Sequence, residues 1–408
     1  MATDKDAAHQ RALARGAAQA LGQEFSLTAA EIDRSGRDPA ENMQRIHEVG
    51  LTRLLLPQAY GGIASSQTLA ADLPLVTDVL TDLAAGESAT AQIWSIHLVA
   101  ARLIFGGALQ VGEDVRREIA DGLLKDGMRL ANSAAERGPR RGEYHTVADP
   151  VDGGYRFSGV KVFNTGTVGA TYTITPVRIR GKEDAGVVYL LVRMDADGVK
   201  PHHDWDNMGQ RATGSGTITF ENVFVPERFC FPMAAGAEGL TGAASVIGPF
   251  FQLLIGATIL GMGFGALSAA AAFVRDHARP NLPTLDRAAD DPVNRLHLGR
   301  ASTALAAARA LQREASQMVV DTEAGNADRG LCSIHMMRSK AATVAAALEV
   351  TGQLHGLAGG RATSNAYRLD RYWRNARTLS VHDPIDAMIQ QIGGFELDGA
   401  PPVPSVGT

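Results

Sequence analysis

The sequence predicts a mostly helical α+β protein in which a small antiparallel β segment is enclosed between two helical ones. Three observations carry this: apolar residues recur at helical spacing up to about residue 128, the period shortens between about Ala131 and Glu227, and it lengthens again from about Gly239. The corresponding division is an N-terminal α-helical domain over 1–128, a central β domain over 129–238, and a C-terminal helical bundle with an extended tail over 239–408.

In the first segment one unit shows start, face and stop together. Asp38 stands at a cap position and Pro39 at the first helical position; Glu41, Met43, Ile46 and Val49 follow, and Gly50 ends the run. In the second, YRFSGVKVF, TYTITPVRI, VVYLLVR and GTITFENVFV are β-branched and aromatic runs broken by Gly, Asp and Pro, as strands are. The third predicts a helix through Phe250, a second from about Asp291, a third from Ser333, and shorter ones after Asn365 and Pro384. Asp291–Pro292 and Asp383–Pro384 repeat the Asp-Pro start of Asp38. The tail GAPPVPSVGT reads as extended.

Composition narrows the function. With 39 Lys and Arg against 44 Asp and Glu over 408 residues the net charge is −5, so no bulk positive field exists to hold a nucleic acid. Hydrophobic residues at 45% and charged residues at 20% describe a chain that folds fully. Cys230 and Cys332 lack a CxxC spacing or a nearby histidine, which excludes a disulfide framework and a zinc ribbon and fits a cytoplasmic setting. No apolar run of signal-peptide length follows the amino terminus. Phe250 to Phe273 is long enough to cross a bilayer, but its four glycines and many alanines make a buried core helix the better reading, so no membrane is expected. GMGFGA (Gly261 to Ala266) lies inside that helix rather than after a strand; its glycines suit the close approach of a neighbouring helix, not a dinucleotide. His202 and His203 would point to opposite faces of a strand, so no metal is expected there.

Six further stretches gain meaning in combination: VGLTRLLLPQAYGG (Val49 to Gly62), LANSAAERG (Leu130 to Gly138), GVKVFNTGTVGA (Gly159 to Ala170), HHDWDNMGQRATGSGTITFENVFVP (His202 to Pro226), GGRATS (Gly359 to Ser364) and RLDRYWRNARTLSVHDP (Arg368 to Pro384). In this order they resemble the acyl-CoA dehydrogenase superfamily, and within it the flavin-dependent monooxygenases similar to dibenzothiophene monooxygenase, from about residue 15 to 393. The resemblance implies the acyl-CoA dehydrogenase-like fold: a helical N-terminal domain, a central antiparallel β domain and a C-terminal four-helix bundle. It also implies a flavin between the β domain and the bundle, in a homotetramer.

The resemblance leaves two chemistries to separate. A dehydrogenase needs a carboxylate to take an α-proton, and Asp383 stands where that glutamate would be. Followed by Pro384 and the amphipathic IDAMIQQI, however, Asp383 reads as a helix cap, whose backbone bonds would keep it ionised and a poor base. The Arg-x-x-Phe-Gly stretch that serves the diphosphate of FAD is missing from VRDHARPNLPTLDRAADDP, so FMN is expected rather than FAD. Arg279 and Arg361 match phosphate-binding positions, where a guanidinium fork suits a terminal phosphate, with surface ion pairs as the alternative. Asn132 and Thr165 match positions at the isoalloxazine edge; Phe163 and Trp205 match positions that wall the ring or the substrate, with β-domain core as the alternative. His97 and His382 are the expected proton-handling pair, although the pattern QIWSIHLVAARLI also suits a packed core histidine. Leu379 occupies a position at which related sequences commonly carry a further histidine.

These features together imply the oxygenase component of a two-component system. It would take reduced FMN from a separate NAD(P)H:flavin reductase, form a C4a-(hydro)peroxyflavin with O2, and oxygenate a small molecule at sulfur or nitrogen. Aromatic carbon hydroxylation and FAD-dependent acyl-CoA dehydrogenation are the alternatives.

Overall fold

A computed structural model gives the fold of residues 4–138, 143–182, 186–234, 242–280 and 282–403. Six helices come first: α1 (Asp4–Ser26), α2 (Ala29–Ser35), α3 (Ala40–Glu48), α4 (Leu73–Gly86), α5 (Ser88–Phe105) and α6 (Glu113–Lys125). Every residue of α5 is buried. Its amino end is closed by Glu87, whose carboxylate accepts from Ala89 N–H at 3.0 Å, Thr90 N–H at 2.7 Å and the Thr90 hydroxyl at 2.6 Å. α1 crosses α4 where Gly22 meets Gly86; a Cβ on Gly86 would stand 2.0 Å from the Gly22 carbonyl oxygen.

Eight strands follow: β1 (Leu130–Asn132), β2 (Val147–Val151), β3 (Gly154–Lys161), β4 (Tyr172–Ile179), β5 (Val187–Arg193), β6 (Val199–Pro201), β7 (Ile218–Pro226) and β8 (Cys230–Pro232). They form one sheet in the order β6-β7-β3-β2-β4-β5-β8, with β1 pairing β4 off this path. The expected antiparallel β domain is a mixed sheet: β4 runs parallel to both β1 and β2, while the other pairings are antiparallel.

The remaining helices are α7 (Gly242–Ser245), α8 (Ile247–Asp276), α9 (Pro292–Glu323), α10 (Arg329–Ala358), α11 (Asp370–Ser380) and α12 (Ile385–Asp398). α8 is long and apolar enough to cross a membrane, but 78% of its apolar window is buried within the fold. The GMGFGA glycines explain how: a Cβ on Gly261 or Gly265 would lie 2.4 Å from the carbonyl oxygen of Thr81 or Ala85 on α4, and one on Gly263 would lie 2.6 Å from Leu305 of α9. α10 starts four residues before the expected Ser333, because Asp328 caps it through Leu331 N–H at 2.8 Å.

The three Asp-Pro starts divide. Asp291 does cap α9, accepting from Val293 N–H at 2.8 Å. Asp38 and Asp383 do not cap, because each is drawn to a cation: Asp38 to Arg129 through two bonds of 2.8 Å, and Asp383 to Lys340 at 2.9 Å. The boundary at 128/129 falls between α6 and β1; that at 238/239, and tail residues 404–408, lie outside the described residues.

Candidate active site

The site is built around β1 and the turn after β3. β1 is bonded to β4 on one side and packs against α5 on the other; beyond it the Ala135 carbonyl accepts from Val162 N–H at 2.9 Å. This seats Asn132 with its Oδ1 buried and without a hydrogen-bond partner. A buried amide oxygen left unpaired costs about 1–3 kcal/mol, so it marks a place where a donor is missing.

Phe163 heads the turn in the left-handed region at φ 58°, an unfavourable backbone for a bulky residue. Its neighbours hold it there: Asn164 Nδ2 donates to the carbonyls of Lys161 at 2.9 Å and Gly216 at 2.8 Å. The outcome is an aromatic residue 68% exposed, its ring standing edge-to-face on Trp205 at 6.3 Å and 85°. Phe163 is therefore no part of the β core. Exposing a large aromatic at the cost of backbone strain fits a platform for a flat ligand.

Thr165 lies buried two residues on, and its hydroxyl opens a polar network that the motif reading missed. Thr165 Oγ1 meets Ser215 Oγ at 2.8 Å, and Ser215 meets Thr213 Oγ1 at 2.7 Å. Gln210, itself at φ 50°, is the hub. Its N–H donates to Asn375 Oδ1 at 2.7 Å, and its Nε2 donates to Gln92 Oε1 at 2.6 Å and the Ser88 carbonyl at 3.1 Å. Its Oε1 accepts from Ser88 Oγ at 2.7 Å, and its carbonyl accepts from Trp205 Nε1 and Thr213 Oγ1 at 2.9 Å each. Asn375 closes the circuit by donating from Nδ2 to Ser88 Oγ at 3.0 Å. The network ties α5, the loop before β7 and α11 together. Its only sequence signal is the polar run of GQRATGS between two strands.

His97 is fully buried on α5 and accepts from Leu130 N–H on Nδ1 at 2.9 Å, which leaves the ring proton on Nε2. Burial, and then the nearby Arg129 charge, push its pKa down to about 3, so the ring is neutral at every working pH. His382 lies elsewhere, after α11, 35% exposed and tilted on Phe251 of α8 at 5.5 Å. Among the described residues no hydrogen bond or ring contact joins the two histidines, so the fold does not bring them together as a contacting pair.

Behind His382 lies a second group the motifs did not reveal. His382 Nδ1 is 2.9 Å from Asp383 Oδ2, which also takes a 2.9 Å bond from Lys340 Nζ; Lys340 in turn donates to Gln252 Oε1 at 2.6 Å. The Lys340 and Asp383 side chains are 1% and 0% exposed.

Arg279 and Arg361 are exposed, and neither guanidinium has a hydrogen bond or ion pair among the described residues. Both flank one apolar cluster, which takes in Phe273, Ala278, Ala358 and Ala362, so they stand at the same end of the bundle. A groove of about 680 Å³ on the outer face of β2 and β3 contains none of these residues.

Residues 7–112 match the family model of the acyl-CoA dehydrogenase N-terminal domain and residues 253–387 that of the C-terminal domain. The chain is 30% identical to dibenzothiophene monooxygenase of Rhodococcus qingshengii over 96% of its own length and 94% of that protein. It superposes on FMN-bound TdsC of Paenibacillus sp. A11-2 with a TM-score of 0.85 at 26% identity, covering 97% of this chain and 100% of that one. Methanesulfinate monooxygenase MsuC of Pseudomonas fluorescens gives a TM-score of 0.82 at 25% identity, covering 97% and 99%.

Proposed function

This chain belongs to the acyl-CoA dehydrogenase superfamily, in its dibenzothiophene monooxygenase branch, and from that premise we propose that it is the oxygenase component of a two-component flavin-dependent monooxygenase. It takes reduced FMN from a separate NAD(P)H:flavin reductase and places one atom of O2 on a small substrate, at sulfur or nitrogen. The observation that carries the reading is the buried, unpartnered Asn132 Oδ1 in the segment that runs beside the exposed Phe163 platform. Reduced flavin carries a proton on N5, and a lone buried acceptor suits it.

When bound, reduced FMN supplies the electrons with which O2 is activated. The chain's own residues supply the rest. Asn132 accepts from the ring edge, and Thr165 offers its hydroxyl from the network. Phe163 and Trp205 wall the ring, and Arg279 and Arg361 bind the terminal phosphate. His382, whose side chain is 35% exposed, handles the proton. The exposure of Phe163, Arg279 and Arg361 on a single chain suits a homotetramer in which a second copy covers the flavin. Free Cys230 and Cys332 suit the cytoplasm.

Acyl-CoA dehydrogenation is disfavoured, since its candidate base Asp383 is shut away from solvent and committed to Lys340. The reading is tested by incubation with FMN, a flavin reductase, NAD(P)H and labelled O2, presenting sulfides, sulfinates, amines and phenols in turn. One labelled oxygen per product molecule is the expected result; bleaching of bound FAD by an acyl-CoA, with no labelled product, would replace it with a dehydrogenase.

A further inference from the structure

His382, Asp383, Lys340 and Gln252 form a chain from the surface into the bundle, joined by contacts of 2.9, 2.9 and 2.6 Å. We propose that Lys340 is a positioning residue that fixes the proton of His382: by neutralising Asp383 it keeps the imidazole neutral, with its hydrogen on Nδ1 and a bare, proton-accepting Nε2 facing outward. The inference rests on the monooxygenase reading only for the use to which that nitrogen is put.

Lys340 and Asp383 are both closed to water, a position that ionised groups hold only when paired. With the ammonium and carboxylate both charged, the pair presents no net charge of its own to the ring. Asp383 Oδ2 accepts from Lys340 and so faces Nδ1 as an acceptor, which puts the ring hydrogen on Nδ1. Nε2 is left with its lone pair.

If Lys340 is removed, the histidine and carboxylate gain one proton between them. That proton can sit on the ring, making an imidazolium, or on Asp383, which then donates to Nδ1. In both arrangements Nε2 carries a hydrogen, so the outward nitrogen changes from acceptor to donor. α8 presents Phe251 to the ring and Gln252 to Lys340; the last turn of α11 carries Arg377 and the first turn of α12 carries Asp386, neither bonded to His382.

The test measures the pH dependence of His382 acylation by diethyl pyrocarbonate, read by peptide mass spectrometry on the full-length chain before flavin is added. The reagent attacks only an unprotonated ring nitrogen. Lys340→Met is expected to raise the midpoint by about one pH unit or more, and Lys340→Arg to leave it near the wild-type value. Asp383→Asn removes the anion instead and is expected to lower the midpoint, so the measurement stands even where Lys340→Met fails to fold. Equal midpoints in wild type, Lys340→Met and Asp383→Asn, or shifts of those two variants in the same direction, overturn the proposal. Because no flavin is present, failure here leaves the monooxygenase reading intact, and failure of the oxygen assay leaves these midpoints unchanged.

Discussion

The backbone N–H of Gln210 donates to the Asn375 side-chain oxygen at 2.7 Å, and through this bond the loop before β7 is tied to α11 across the buried network that ends at Thr165. Since Gln210 also satisfies Ser88 and Gln92, its removal leaves several buried polar groups unpaired. Gln210→Leu is expected to cost about 2–4 kcal/mol in urea unfolding and to raise the peroxide released per flavin oxidised. Unchanged stability would mean that the network relaxes without it.

His97 makes a prediction about acid. Its pKa is about 3 in the folded chain against an ordinary 6.5, so between these values the unfolded chain holds one more proton. Its contribution is fully present above pH 6.5 and is lost as pH falls toward 3. The slope of unfolding free energy between pH 4 and 6 should therefore decrease by about one proton in His97→Asn relative to wild type. Parallel slopes would place a protonated ring in the folded state.

Arg361 is exposed and makes no ion pair among the described residues. Arg361→Ala should weaken FMN binding by roughly ten- to a hundredfold, the scale of a charge-assisted hydrogen bond, with little change in thermal stability. Equal affinities by equilibrium dialysis would move the phosphate elsewhere.

Gly265 tests the helix crossing that stands in place of a dinucleotide loop. Its Cβ would meet the Ala85 carbonyl oxygen of α4 at 2.4 Å and Tyr372 at 2.9 Å. Gly265→Ala should destabilise the fold by about 1–3 kcal/mol. A neutral effect would show that the two helices can part.

The sequence made the segment order legible because period and turn residues change together at each passage between helices and strands. The glycines of α8 were legible for the same reason, since a helical setting forbids the turn that a nucleotide fingerprint needs. What was not legible is pairing across distance. Asp38, Asp291 and Asp383 carry the same Asp-Pro signature, yet only Asp291 caps, because Arg129 and Lys340 arrive from remote elements to claim the others. Gln210 and Lys340 escaped notice for a related cause. Each is an ordinary polar residue in sequence, and its weight comes from burial beside partners tens to hundreds of residues away.

Oxygen reactivity is the central claim, and stopped-flow absorbance tests it most directly. Protein and reduced FMN are mixed anaerobically and then met with oxygenated buffer. The expected result is a transient distinct in spectrum from both reduced and oxidised flavin, shorter-lived in His382→Ala at similar FMN affinity. Direct return to oxidised flavin at the rate of flavin free in solution would contradict it.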